Sequence, residues 1–298
     1  MKRRLAEARE KPRKAAPKDC RQLQSLLKTK IISELKNRTA GRGLSLKSDR
    51  FCRRQNRAWS EKMIMDWEQT ILFEDNHILA AVKPQNMPAQ EDASGDPDFL
   101  NALKGYLKEK YQKPGNVFLG LVHRLDRPTG GVMVFAKTSK AAARLSAAIR
   151  EGDMEKEYLA VTVKKPPEER AHLVHYLKKN TINNTVYVVP QTTAEAKRAE
   201  LIYTFLQSAP PVHLLKVELL SGRSHQIRVQ LSHIGCPIFG DLRYGGAIAK
   251  GYNLALWACK LKFTHPVTGD RMVFVAYPPE EEEPWKRFDL PRFLKIYK

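Results

Sequence analysis

From residue 71 onward the chain is a succession of short apolar runs separated by turn residues. Residues 71–74 and 77–82 read as strands joined at Asp75-Asn76, and residues 117–122 and 132–136 as two short buried strands. Further strands are predicted over 154–163, 171–177, 185–189, 199–205 and 213–220. A closing hairpin is predicted from 254–263 and 272–276 across Pro266-Val267-Thr268-Gly269. Helical spacing appears in 98–111, where Phe99, Leu103, Tyr106 and Leu107 share a face, and again in 139–150. Residues 224–233 turn helical with Ile227, Leu231 and Ile234 on the apolar side, and 84–97 reads as a loop. Strands in succession with segregated helices predict an α+β fold, a mostly antiparallel mixed sheet with flanking helices.

Residues 1–62 follow a different pattern. A basic run containing Ala and Pro, 2–18, precedes one stretch with Leu23, Leu27, Ile31 and Leu35 at four-residue spacing, and 39–57 is polar without periodicity. This leader holds 20 basic and 6 acidic residues, a net of +14 out of +20 for the chain, which leaves +6 for residues 63–298. The expected organisation is a leader over 1–62, disordered or partly helical, and one domain over 63–298. An RNA-binding arm, a targeting segment and translated sequence upstream of the true start are the competing readings of the leader. With Met63 and Met65 just before the first strand, a disordered tail or sequence upstream of the true start is favoured over a folded second domain. The mildly basic body fits a local positive cleft for a polyanion.

The four cysteines, Cys20, Cys52, Cys236 and Cys259, show no Cys-x-x-Cys spacing, so neither a disulfide framework nor a zinc site is expected. His172 and His175 fall on an alternating strand as solvated imidazoles rather than metal ligands. No apolar run reaches membrane-spanning length and no secretory signal is visible, so the expectation is a cytoplasmic monomer without a membrane partner.

The candidate chemistry lies between the strands at 117–122 and 132–136. There Asp126 stands between Arg124 and Arg127, just before Pro128-Thr129-Gly130-Gly131. Two flanking arginines favour an ionised carboxylate by charge attraction. An oriented carboxylate on a loop hung from two core strands can act as a nucleophile. An ion pair closing a turn is the structural alternative for an isolated Asp beside Arg.

What lifts the catalytic reading above it is the run His123-Arg124-Leu125-Asp126-Arg127-Pro128-Thr129-Gly130-Gly131, which resembles the catalytic loop of the RluA-type RNA pseudouridine synthases. Lys156-Glu157-Tyr158 resembles that family's Lys-x-Tyr motif, and Gly222-Arg223-Ser224-His225-Gln226-Ile227-Arg228-Val229 its third motif. The runs 235–245, 254–258 and 263–269 also match, in the family's order. Two departures stand out. Gly131 replaces the serine of many relatives, a small residue expected at the same turn. Trp257 replaces a histidine, with the loss of a polar contact expected there.

The resemblance implies the pseudouridine synthase catalytic fold and isomerisation of uridine to pseudouridine in ribosomal or transfer RNA, with no cofactor and no metal. Asp126 is then the catalytic carboxylate, Arg228 its salt-bridge partner, and Tyr158 the ring that stacks on the target base. Arg124 helps displace the target nucleotide, because an enzyme acting on a base must take it out of its stack. His123 contacts backbone or holds the loop, Arg223 supports the loop or contacts phosphate, and Arg127 and Lys156 complete the expected substrate-binding set. Gly130 and Gly131 allow the turn after Asp126. The competing class is a non-catalytic RNA-binding or ribosome-assembly factor on the same fold. A kinase-like catalytic loop fails because Leu125 interrupts the His-Arg-Asp order and no kinase Gly-rich loop precedes it.

Overall fold

The computed structural model describes residues 66–246 and 249–294; the basic leader and its boundary at 62–63 lie outside the described residues. Strand β1 (Ile71–Glu74) pairs antiparallel with β2 (Ile78–Lys83), which pairs antiparallel with β4 (Gly130–Ala136). Next in the sheet stand β10 (Leu256–Thr264), β5 (Glu155–Thr162), β9 (Val212–Leu219), β8 (Lys197–Ala209), β6 (Arg170–Asn180) and β7 (Thr185–Val189). Strand β11 (Arg271–Val275) pairs with β10, and the two-residue β3 (Gly120–Leu121) with β4. Among the described pairings only β4–β10 is parallel, so the sheet is mixed and mostly antiparallel. Of the strand predicted over 117–122 only β3 pairs.

The apolar runs explain why the central strands are covered twice. Side chains alternate along a strand. Met133 and Phe135 of β4, with Leu79 and Ala81 of β2, therefore pack toward helix α1 (Phe99–Lys110). Val132, Val134 and Ala136, with Ile78 and Ala80, pack toward α2 (Ser139–Glu151). The helix ends are written in the sequence. Asp98 caps α1 by accepting from the Asn101 N–H at 3.0 Å, and Thr138 caps α2 by accepting from the Ala141 N–H at 3.1 Å. Gly152 closes α2 in the left-handed conformation. The third helix, α3 (Gln226–His233), starts after His225, whose φ is +53°. On β6 His172 is exposed as expected, but His175 is part-buried. Its Nδ1 stands 2.9 Å from Gln230 Nε2, and its ring meets that of His233 edge-on at 4.9 Å.

Gly130 and Gly131 do a different task from the one expected of them. The turn after Asp126 is closed earlier, by the Thr129 N–H donating to the Asp126 carbonyl at 3.0 Å. The glycines instead open β4, where β10 runs alongside in parallel, Trp257 opposite Gly130 and Ala258 opposite Gly131. A Cβ on Gly130 would collide with the Trp257 ring, and one on Gly131 with the Ala258 backbone; Gly131 also has φ +123°. Glycine is needed for close strand approach, not for bending. Trp257 keeps a polar contact where its loss was expected, its Nε1–H donating to the Ala276 carbonyl at 3.0 Å. Gly131→Ala should therefore cost about 2–4 kcal/mol, because backbone rather than a flexible side chain must yield. A urea titration of the variant checks this, and an unchanged midpoint would contradict it.

Candidate active site

Three separate elements bring the candidate residues together. Asp126 lies on the loop from β3 to β4, Tyr158 on β5, and Arg228 in the first turn of α3. Arg228 Nη1 stands 3.5 Å from Asp126 Oδ2. Its other edge makes a two-pronged contact, Nε and Nη2 each donating at 2.8 Å to the carboxylate of Asp241. The Arg228 side chain is 7% exposed and that of Asp241 fully buried. The guanidinium also lies 5.2 Å from the centre of the Tyr244 ring. Burial works against the Arg228 cation, but the hydrogen bond and charge of Asp241, with a smaller push from Asp126, hold its pKa above the usual value.

Asp126 sits where two cavities meet. One, of about 1040 Å³, is also lined by Tyr158, Lys156, Arg150 and Arg223. The other, of about 650 Å³, is lined by the 86–92 loop, Lys179, Arg243 and Tyr252 among others. Arg124, Leu125, Asp126, Ser224, His225 and Arg228 form the wall common to both.

Tyr158 pairs across the sheet with Ala258 and Val217 and is buried. Burial, then the neighbouring charge of Asp126, push its phenol pKa up. The group is thus a neutral ring with a proton to donate, not a base. Lys156 lines the first cavity without a hydrogen-bond or ion-pair partner among the described residues, and desolvation lowers its pKa. The Arg223 Nε–H donates to the Arg198 carbonyl at 3.1 Å, which leaves the rest of its guanidinium at the cavity. His123 Nε2 accepts the Val134 N–H at 3.0 Å, and desolvation, then the Lys156 charge, take its pKa down to about 3. A neutral imidazole ties the loop to β4.

The flanking arginines do not hold Asp126 as their sequence positions suggested. Arg127 turns away to the 84–97 loop, with Nη1 2.5 Å from Asp96, Nη2 2.9 Å from Asp92, and a further contact to Ser94. Adjacent residues point in different directions, so a neighbour in sequence need not be a neighbour in charge. Arg124 is exposed and has no hydrogen bond or ion pair among the described residues. The arginine in contact with Asp126 comes from α3, about a hundred residues downstream.

Four residues of the site were not foreseen. Asp241 is marked in the sequence only as part of the matching run 235–245. His225 lines both cavities, with Nδ1 2.8 Å from the Tyr244 hydroxyl; burial first of all lowers its pKa. Tyr244 also accepts the Val186 N–H at 2.9 Å, which fastens β7 to the site. The fourth is Lys83, fully buried at the end of β2. Its ammonium donates to the carbonyls of Pro84 at 2.8 Å, Met87 at 2.7 Å and Arg127 at 3.2 Å, and so holds the Asp126 loop from below. The available signal was a lysine closing the otherwise apolar run 78–83, just before Pro84.

Desolvation pulls the Lys83 pKa down to about 7, with Asp126 opposing. Between about 7 and 10.5 the unfolded chain holds a proton that the folded chain has released, so this residue's contribution to stability rises with pH across that window. Lys83→Met should remove that pH-dependent part and destabilise by on the order of 3 kcal/mol, because three carbonyls lose a donor. Chemical denaturation of both proteins across the window is the check. A wild-type minus variant difference that stays flat with pH would reject the titration.

Residues 77–233 match the family model for RNA pseudouridylate synthase. The chain is 34% identical over 227 residues to ribosomal large subunit pseudouridine synthase D of Yersinia pestis, covering 71% of this chain and 67% of that protein. It is 30% identical over 227 residues to ribosomal large subunit pseudouridine synthase C of Vibrio vulnificus (strain CMCP6), covering 74% and 69%. Among solved structures, human RNA pseudouridylate synthase domain containing 4 superposes with a TM-score of 0.63 at 22% identity, covering 79% of this chain and 95% of that one. At that identity the likeness concerns the fold.

Proposed function

The chain belongs to the RNA pseudouridylate synthase family and is an isomerase that forms pseudouridine in RNA; we propose that its substrate is the RNA of the large ribosomal subunit. The names of the relatives support that choice over transfer RNA. Those relatives are bacterial, and bacteria assemble ribosomes in the cytoplasm, where we take this protein to act as a monomer. Among the described residues no helix is long and apolar enough to cross a membrane.

The observation that carries the catalytic assignment is the convergence of Asp126, Arg228 and Tyr158 at one cavity, with Asp126 and Arg228 3.5 Å apart. In the reaction the bond from the ribose to the base nitrogen breaks and a bond to a ring carbon forms. That carbon loses a proton and the nitrogen gains one, so the isomerisation needs neither an oxidant nor water. Asp126 is assigned as the carboxylate that acts on the target nucleotide, and Arg228 as the positioning residue that orients it. Tyr158 stacks on the base with its neutral phenol. Lys156 and the outer edge of the Arg223 guanidinium supply cationic contacts to phosphate. Arg127, neutralised by two aspartates, shapes the wall instead, and His123 serves as a brace.

Pseudouridine mapping of ribosomal and transfer RNA from cells with and without the gene tests the substrate. A ribosomal site should vanish on deletion and return when purified protein acts on the unmodified RNA. Loss of a transfer-RNA site alone would overturn the ribosomal assignment.

Arg124 has a planar guanidinium, without an ion-pair partner among the described residues, on the wall between the cavities, placed to fill the stacking gap left by an extruded uridine. Arg124→Ala should slow single-turnover isomerisation more on a stem-loop than on an RNA with an unstacked target. Arg124→Lys should rescue binding better than rate. Equal defects on both RNAs would reduce Arg124 to a phosphate contact.

A further inference from the structure

The cavity that Asp126 lines and Tyr158 does not is left without an occupant when the target base stacks on Tyr158. We propose that it receives the nucleobase adjoining the target uridine, stacked on Tyr252, and that this contact favours a uridine whose neighbouring base is unpaired and free to stack. The inference rests on the reading that the protein isomerises uridine in RNA.

Tyr252 is 51% exposed yet lines this cavity, and Leu242, 60% exposed, lies on the same wall. The Tyr252 ring is backed by that of Phe239, 5.1 Å away at 55°, and Phe239 itself packs on the main apolar core. An exposed aromatic face over a firm support is what an unpaired base stacks on, with little regard to base identity.

The charge around it suits a polyanion. The Arg243 side chain donates to the carbonyls of Asn183 and Asn184, at 2.8 and 3.2 Å, and to the Thr185 hydroxyl at 3.0 Å, and among the described residues no carboxylate pairs with it. Lys179, on the same wall, has no ion-pair partner among the described residues. Asp92 is taken up by Arg127 and Asp126 lies beside Arg228, which leaves Glu91 as the carboxylate of this wall without an ion-pair partner among the described residues. The volume of about 650 Å³ falls in the range of small-molecule sites. Because the two cavities share a wall through Asp126, one phosphodiester can place consecutive bases on either side of it. The positive groups then face the backbone, and Tyr252 faces the neighbouring base.

The test uses the full chain and a short RNA carrying the uridine identified by mapping, with each flanking nucleotide in turn made abasic. Single-turnover rates and binding are measured for wild type, Tyr252→Ala and Tyr252→Phe, with thermal melting as the control for folding. For wild type, loss of the base on one flank should weaken binding or slow turnover at least about fivefold, the lower end of what one base–aromatic stack supplies. Tyr252→Ala should show the same defect on intact RNA and no further loss on that abasic RNA, whereas Tyr252→Phe should behave as wild type. Fully additive effects, or a Tyr252→Ala protein that equals wild type on intact RNA, would overturn the inference alone. Absence of wild-type turnover on the intact RNA would remove the substrate reading, and the inference with it.

Discussion

Asp126→Asn should lose pseudouridine formation by on the order of a thousandfold or more while the protein stays folded. Asparagine has the same size and can still accept a hydrogen bond from Arg228, but it carries no charge and is not a comparable nucleophile. Little stability is at risk, because the Asp126 side chain is 28% exposed and its contact to Arg228 is a 3.5 Å approach rather than a buried hydrogen bond. The measurement is single-turnover conversion of the mapped RNA alongside a urea titration. Turnover within tenfold of wild type would remove Asp126 from the chemistry. An inactive, unfolded variant would instead make the residue structural.

Asp241→Ala should have the largest effect on stability, about 3–5 kcal/mol, and should abolish activity as well. Its carboxylate accepts from Arg228 twice at 2.8 Å and from the backbone N–H groups of Arg243 at 3.0 Å and Tyr244 at 3.1 Å. Alanine would leave a 7% exposed guanidinium beside Asp126 with its main partner gone. Two observations separate the structural from the positioning role. The double variant Arg228→Met with Asp241→Leu should recover much of the lost stability, since paired apolar groups can replace a buried ion pair. It should remain inactive, because nothing then orients Asp126. A double variant as unstable as the single one would show that the backbone contacts of Asp241 matter more than its pairing with Arg228. Recovery of activity would dismiss Arg228 as the positioning residue.

The parts of this protein legible in its sequence are those governed by local rules. Alternation and unbroken apolar runs mark the strands, and Asp98 and Thr138 mark where helices begin, because caps and periodicity act over a few residues. The motif order located Asp126, Tyr158 and Arg228 one at a time. Composition placed most of the positive charge in residues 1–62, which lie outside the described residues.

What the sequence could not decide was who meets whom. Arg127 is bonded to Asp126 along the chain, yet its charge is spent on Asp92 and Asp96. Arg228 instead reaches Asp126 from α3, its other edge held at 2.8 Å by Asp241 from the loop beyond that helix. Lys83 looks like the polar end of an apolar strand, and only the folding of the Asp126 loop over it supplies three carbonyl acceptors. Gly130 and Gly131 look like turn residues, and only the parallel approach of β10 shows that they make room for a strand. In each case the sequence determined the chemical type of the residue. Its partner was decided by tertiary structure, because side-chain direction and the return of distant strands set distances that spacing along the chain does not encode.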